Sequence, residues 1–160
     1  VLSGKKVDVI FTAFILGDVT IEEYAKNYKA SVPEYLDANF LDVKVYDEQH
    51  IAVTMYETDR LKLVKDINDN LNEHASSLLS DDSLKDVFTD VKTDKLFQNI
   101  KLYTDKKAYD KSPFASLIAS IYFGIVSDAV QAVNLIDPED RICNITIIDK
   151  ATGKVLYTGE

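Results

Sequence analysis

One cysteine, no tryptophan, two histidines and three prolines leave several functional classes without material in this 160-residue chain. Cys143 has no second cysteine to pair with, which excludes a disulfide scaffold. Its place in the apolar run Ile142 to Ile148 reads as a small buried hydrophobe rather than a reactive thiol. Five glycines and three prolines are too few for a low-complexity linker. Basic residues are also scarce: 18 Lys and Arg stand against 27 Asp and Glu, a formal charge of -9. That field repels phosphate backbones and anionic lipid, so nucleic acid is not an expected partner. No run reaches the eighteen or so apolar residues of a membrane span. The nearest, Ser112 to Ser127, has no charged residue but is broken by Ser116 and Ser120, and reads as a buried helix.

What is present is ordinary globular material, 46% hydrophobic and 28% charged, in a length that suits a single domain. Val7 to Leu16 is rich in β-branched and aromatic residues and stops at Gly17-Asp18, predicting a first strand. Thr20 and Glu23 have capping-box spacing, so a helix follows to about Lys29. Pro33 interrupts, and a turn of helix is expected at Glu34 to Ala38. LDVKVY and IAVTMY around Asp47 to His50 predict a hairpin. Thr58 is the expected cap of a helix carrying Leu61, Val64, Ile67, Leu71, Ala75 and Leu78 on one face. VFTDVKT and LFQNIKLYT around Thr93 to Lys95 predict a second hairpin. Ser112-Pro113 starts a helix to about Val133, apolar nearly all round, and Ser116, Ser120 and Gly124 form a small-residue stripe along it. A polar connection at Asp137 to Asp140 leads to a third hairpin, ICNITII with KVLYT, whose turn uses Gly153.

The motifs that carry chemistry fail on inspection. Asp66 to Asn70 opens like a calcium loop, but Leu71 stands where the loop needs glycine and Ser77 where it needs glutamate. Gly153-Lys154 lacks the hydroxyl and the first glycine of a phosphate loop, since Val155 and Ile148 hold those places. Asn144-Ile145-Thr146 matches a glycosylation sequon inside a predicted strand. His50 and His74 have no zinc-like spacing and read as surface residues. No serine sits in a G-x-S-x-G elbow. The acidic pairs Asp81-Asp82 and Glu139-Asp140 read as surface charge, and Tyr24, Tyr28 and Tyr35 as packing rather than a binding face. No catalytic, cofactor-binding or metal-binding residue is assigned.

The order GDVTIEEYAKNY, VKVYDEQHIAVTMYETDRLKLVKDINDNLNE, SPFASLIASIYFGIVSDAV and NITIIDKATGKVLYTG resembles small surface lipoproteins of Gram-positive bacteria, over about Val7 to Gly159. That group has no established activity, so the resemblance implies location and no site residue. It implies export and a lipid tether preceding the domain. Val1 to Gly4 is similar to the residues before a lipidated cysteine, although Lys5 stands where that cysteine belongs. The expectation is an α+β domain at 7–160 after tether or appended residues at 1–6. An antiparallel sheet of hairpins would carry two long helices, Thr58 to Leu79 and Ser112 to Val133, on one face. No cofactor is expected. The expected role is binding a peptide, a glycan or an envelope protein at the cell surface, with the membrane reached only through the tether. The alternatives are a small hydrolase whose carboxylates and histidines meet only in three dimensions, and a cytoplasmic structural partner.

Overall fold

In the computed structural model, residues 4–31 and 40–160 are described. The expected helical turn at Glu34 to Ala38, Tyr35, and the first three residues of the chain lie outside them. The fold is α+β, with seven strands in two sheets among the described residues. The chain divides into two compact units: Val1–Asp66 with Gln131–Asp140, and Ile67–Val130 with Arg141–Glu160.

The first unit is built on a three-stranded antiparallel sheet in the order β1-β3-β2, formed by β1 (Lys6–Thr12), β2 (Phe40–Val45) and β3 (His50–Tyr56). β3 is inserted between β1 and β2, which α1 (Ile21–Ala30) connects in the chain. The alternation dictates the faces. Val9 pairs with Val53 and Phe11 with Ile51, and these side chains are buried together with Val43 and Met55. Asp8, Thr54 and Lys44 form the polar row, in which the Thr54 hydroxyl donates to Asp8 at 2.6 Å and Lys44 reaches Asp8 at 3.4 Å. α1 contributes Ala25 and Tyr28 to the core, with the Tyr28 ring 6.5 Å from Phe11 and 6.2 Å from Phe40. Its capping box is formed in both directions between Thr20 and Glu23.

Three expectations between the first strand and α3 (Leu71–Leu78) need correction. The first strand ends at Thr12 rather than Leu16, because β3 begins at His50, the partner of Thr12, and pairing runs out after Ala13 donates to the Gln49 carbonyl. Thr58 is not a cap: α2 (Glu57–Asp69) begins one residue earlier, directly from β3, with the Glu57 N–H satisfied by the Lys5 carbonyl. The single long helix is also broken at Asn70, whose backbone leaves the helical region, so that α3 (Leu71–Leu78) is separate. α2 buries no residue, and Leu61 on its expected apolar face is exposed.

The second unit is built on a four-stranded sheet in the order β4-β5-β6-β7, from β4 (Phe88–Thr93), β5 (Asn99–Thr104), β6 (Asn144–Asp149) and β7 (Val155–Gly159). Both expected hairpins are present, and Gly153 takes the positive φ of 73° that its turn requires. The sheet is mixed rather than antiparallel. β5 and β6 run parallel because the chain crosses between them through α4 (Lys106–Asp110) and α5 (Ala115–Val133). Sequence reading missed α4, a five-residue helix whose cap Asp105 accepts from the Lys107 and Ala108 N–H groups. Ile100 pairs with Ile145 and Leu102 with Ile147, so all four face one way. They are buried in one cluster with Ala75 and Leu79 and with Ala115, Ala119 and Phe123 of α5.

α5 starts at Ala115, after a turn in which the Ser112 carbonyl accepts the Ala115 N–H. It ends in a Schellman motif: Ile136 donates to the Gln131 carbonyl, Leu135 to the Ala132 carbonyl, and Leu135 has φ 59°. Leucine in this left-handed position carries a steric cost that glycine avoids. Leu135→Gly is expected to raise stability by about 0.5–1 kcal/mol, read as a higher urea midpoint with unchanged slope. By length and composition α5 is apolar enough to cross a membrane, yet 39% of its most apolar window is buried in the fold. The expectation of an all-round buried helix is wrong on one side, and that side is the most distinctive surface feature of the chain.

Candidate interaction surface

Helical geometry places Ala115, Ala119, Phe123, Val126 and Val130 on one side of α5, and these meet the sheet or pack against its cluster. Phe114, just before the helix, and Leu117, Ile121 and Ile125 recur at three- and four-residue steps on the opposite side, exposed by 66%, 56%, 50% and 40%. No charged residue interrupts them between Ser112 and Ser127. With roughly 150–200 Å² for each side chain, the stripe leaves about 400 Å² of apolar surface in water, the size of the largest patch on a typical monomer. Gly124, on the flank of this stripe, has open space where a Cβ would point. Ser120 turns its hydroxyl inward along the helix to the Ser116 carbonyl at 2.8 Å and offers no free donor outward.

Near the N-terminal end of α5 an open cleft of about 430 Å³ is lined by Asp86, Asp105, Lys107, Ala108, Lys111 and Ser112. Asp105 caps α4, and the cleft has no histidine among its lining groups.

Among the described residues, those singled out in the sequence do not converge on a catalytic arrangement. His50 opens β3, and its Nδ1 lies 2.7 Å from the Asp47 carboxylate, with the Tyr46 ring edge-on. Asp47 also accepts the Gln49 N–H, and this backbone bond, against burial and with help from His50, holds its carboxyl below the usual range. The pair therefore closes the β2–β3 turn. His74 is an exposed residue of α3. Asp66 to Asp69 lie on α2, and Asn144-Ile145-Thr146 lies in β6, where Asn144 Nδ2 donates to Asn99 at 3.2 Å. Asp81 accepts the Ser83 N–H in a turn, and Glu139 and Asp140 belong to a turn of 3-10 helix at Pro138–Asp140. Tyr28 is buried, with Tyr24 6.2 Å away on the same helical face. Among the described residues, no group of three or more His, Cys, Asp or Glu side chains could hold a metal ion.

Cys143 is half-buried and precedes β6 rather than lying inside it. Burial pushes its thiol up, only partly offset by a hydrogen bond with Ser127, so it stays protonated near neutrality and is a poor nucleophile. The Ser127 hydroxyl, itself buried, donates to the Phe97 carbonyl at 2.6 Å. Phe97 sits in the β4–β5 turn with φ 52° and is fully buried. Burial would push the Asp94 carboxyl in this turn up, but the N–H groups of Gln98, Asn99 and Leu96 hold it low. This polar clamp was not legible in the sequence, where Thr93-Asp94-Lys95 reads as a short tip.

Comparison with family models, with curated proteins and with solved structures returns no match for the chain.

Proposed function

We propose that this chain is a binding or interaction module displayed outside the cytoplasm at a bacterial cell surface, and that it engages its partner through the outward face of α5. The observation that carries the reading is the charge-free stripe of Phe114, Leu117, Ile121 and Ile125 standing in water on a helix whose opposite side is core. The setting rests on the resemblance to tethered surface lipoproteins. With Ala75 of α3 and Ala115, Ala119 and Phe123 of α5 in one core cluster, the two helices would share one face of the second sheet and leave the far side of α5 for display. An apolar stripe suits a peptide or an envelope protein with its own apolar face better than a glycan, which needs an array of exposed donors and acceptors. The acidic balance of the chain disfavours nucleic acid as partner.

Envelope extract passed over the immobilised domain tests this. A protein or peptide retained by the native chain should be lost with Ile121→Asp, which places a charge in the centre of the stripe, while Lys101→Asp on the sheet keeps it. Retention that is indifferent to Ile121→Asp refutes the α5 face as the contact surface.

A further inference from the structure

We propose that the end of the first sheet where β1 stops and the β2–β3 turn projects is a docking site for a cationic peptide segment that carries apolar side chains. The site is independent of the α5 face and lies wholly within the first unit. The backbone brings two stretches of chain together there. Thr12 is the partner of His50, and the Ala13 N–H donates to the Gln49 carbonyl at 2.8 Å. The loop that follows β1 therefore leaves from beside the β2–β3 turn, in which the Tyr46 and Asp47 N–H groups both donate to the His50 carbonyl.

Three large apolar side chains stand in water at this end of the sheet. Phe14 is 48% exposed, Leu16 86% and Tyr46 56%. Leu16 comes directly before Gly17, whose φ of 72° makes the turn toward α1. A single exposed leucine is ordinary, but three large side chains at one end leave roughly 350 Å² of apolar surface, the size of a patch with a use.

Charge identifies the occupant. From Val7 to Ala25 and from Val45 to Asp59 there is no lysine or arginine, while Asp18, Asp47 and Glu48 flank the apolar three. Asp18 and Glu48 form no ion pair among the described residues, and Asp47, although bound by the Gln49 N–H and His50, keeps its side chain 48% exposed. Lys44, the nearest cation along the sheet, is turned to Asp8. Anionic lipid and nucleic acid meet repulsion here, and a second copy of the chain would set the same carboxylates against one another. A basic segment supplies the missing counter-charges while its own apolar side chains cover Phe14, Leu16 and Tyr46. The area suits a short peptide held weakly rather than a stable interface between domains.

The probe is a short synthetic peptide of alternating lysine and leucine, titrated against the full chain by fluorescence anisotropy and by amide chemical shifts. Two counterparts accompany it, one with glutamate for lysine and one with serine for leucine. The lysine–leucine peptide should bind with a dissociation constant on the order of 100 μM and shift the amides of residues 13–18 and 46–49. Phe14→Ser with Leu16→Ser should weaken it by about tenfold or more. Asp18→Asn with Glu48→Gln should weaken it by about threefold to tenfold and flatten its salt dependence. All four positions are exposed, so the circular dichroism and urea midpoint of both variants should match the native chain. Ile121→Asp should leave the affinity unchanged, which keeps this result separate from the α5 reading.

Equal affinity for the glutamate counterpart overturns the charge selection. Equal affinity for the serine counterpart shows charge acting alone and overturns the apolar contact. Absence of binding up to about 1 mM overturns the site. In a chain that ignores the peptide, binding to phosphatidylcholine vesicles that is lost with Leu16→Ser replaces the peptide by a lipid surface. A rise of mass with concentration that is lost with Leu16→Ser replaces it by a second copy.

Discussion

Replacing Phe123 by alanine is expected to cost about 3–5 kcal/mol, whereas replacing Ile121, two residues away on the same helix, should cost less than about 1 kcal/mol. Phe123 is fully buried in the cluster that contains Ile100, Leu102, Ile145 and Ile147. Its loss removes the transfer energy of an aromatic ring and leaves a cavity that the surrounding strands can only partly close, because β5 and β6 are held in register by their parallel pairing. Ile121 is half-exposed on the opposite side, so its truncation removes little contact. In a domain of this size the Phe123 variant should melt roughly 8–15 °C lower. The contrast is the measurement that matters. Thermal unfolding followed by circular dichroism on Phe123→Ala and Ile121→Ala separates an amphipathic α5 from the all-round buried helix that its sequence suggests. Similar losses at both positions would show that the outward stripe is covered.

That contrast also shows where sequence reading loses information. The elements were legible wherever a local signal decided them: the Thr20 and Glu23 capping box, the alternation in β2 and β3, and Gly153 in the last turn. Pairing was not, because it depends on distant parts of the chain. Nothing in NITIID says that β6 will lie beside β5 in the same direction, since this follows from the crossover that α4 and α5 provide. The break at Asn70 is hidden because Leu71 and Ala75 continue the apolar period through it. The α5 face was illegible for a different reason. A helix apolar on both sides gives nearly the same residue pattern whether it is covered on one side or two, and only the positions of the sheet and the other helices decide. The small-residue stripe at Ser116, Ser120 and Gly124 was visible, but the large residues beside it, Leu117, Ile121 and Ile125, carry the surface.

In the first unit the largest single polar effect should come from Arg60. Its guanidinium donates to both oxygens of Glu57, at 2.8 Å from Nε and 2.5 Å from Nη2, and Nη1 donates to the Val133 carbonyl at 2.8 Å. The two side chains are only 11% and 13% exposed, so this is an ion pair largely removed from water that also satisfies a free carbonyl at the end of α5. Arg60→Ala leaves the Glu57 carboxylate and the Val133 carbonyl without this donor, and is expected to cost about 1.5–3 kcal/mol, the range for hydrogen bonds to charged groups in a part-buried setting. Glu57→Leu combined with Arg60→Met should recover part of that loss, because the apolar pair strands no charge.

The same contact sets a pH dependence. The hydrogen bonds from Arg60, opposed by burial and helped by the charges of Arg60 and Lys5, hold the Glu57 carboxyl below its usual range. A carboxyl whose folded value is depressed binds its proton less readily in the folded chain. Its contribution is therefore complete above the unfolded value near about 4.3 and is lost as pH falls through the lower folded value. Arg60 is shifted upward by the same hydrogen bonds, so its share is present below its ordinary value and is lost only in strong alkali. Urea unfolding of the native chain should thus weaken as pH falls below the unfolded value near about 4.3, more steeply than in the double variant Glu57→Leu with Arg60→Met, which has no proton to gain at these positions. Hydrogen exchange locates the effect, since the amides of β3 and the first turns of α2 should open first in Arg60→Ala. Parallel acid profiles in the two proteins would mean that the pair is solvated and contributes little.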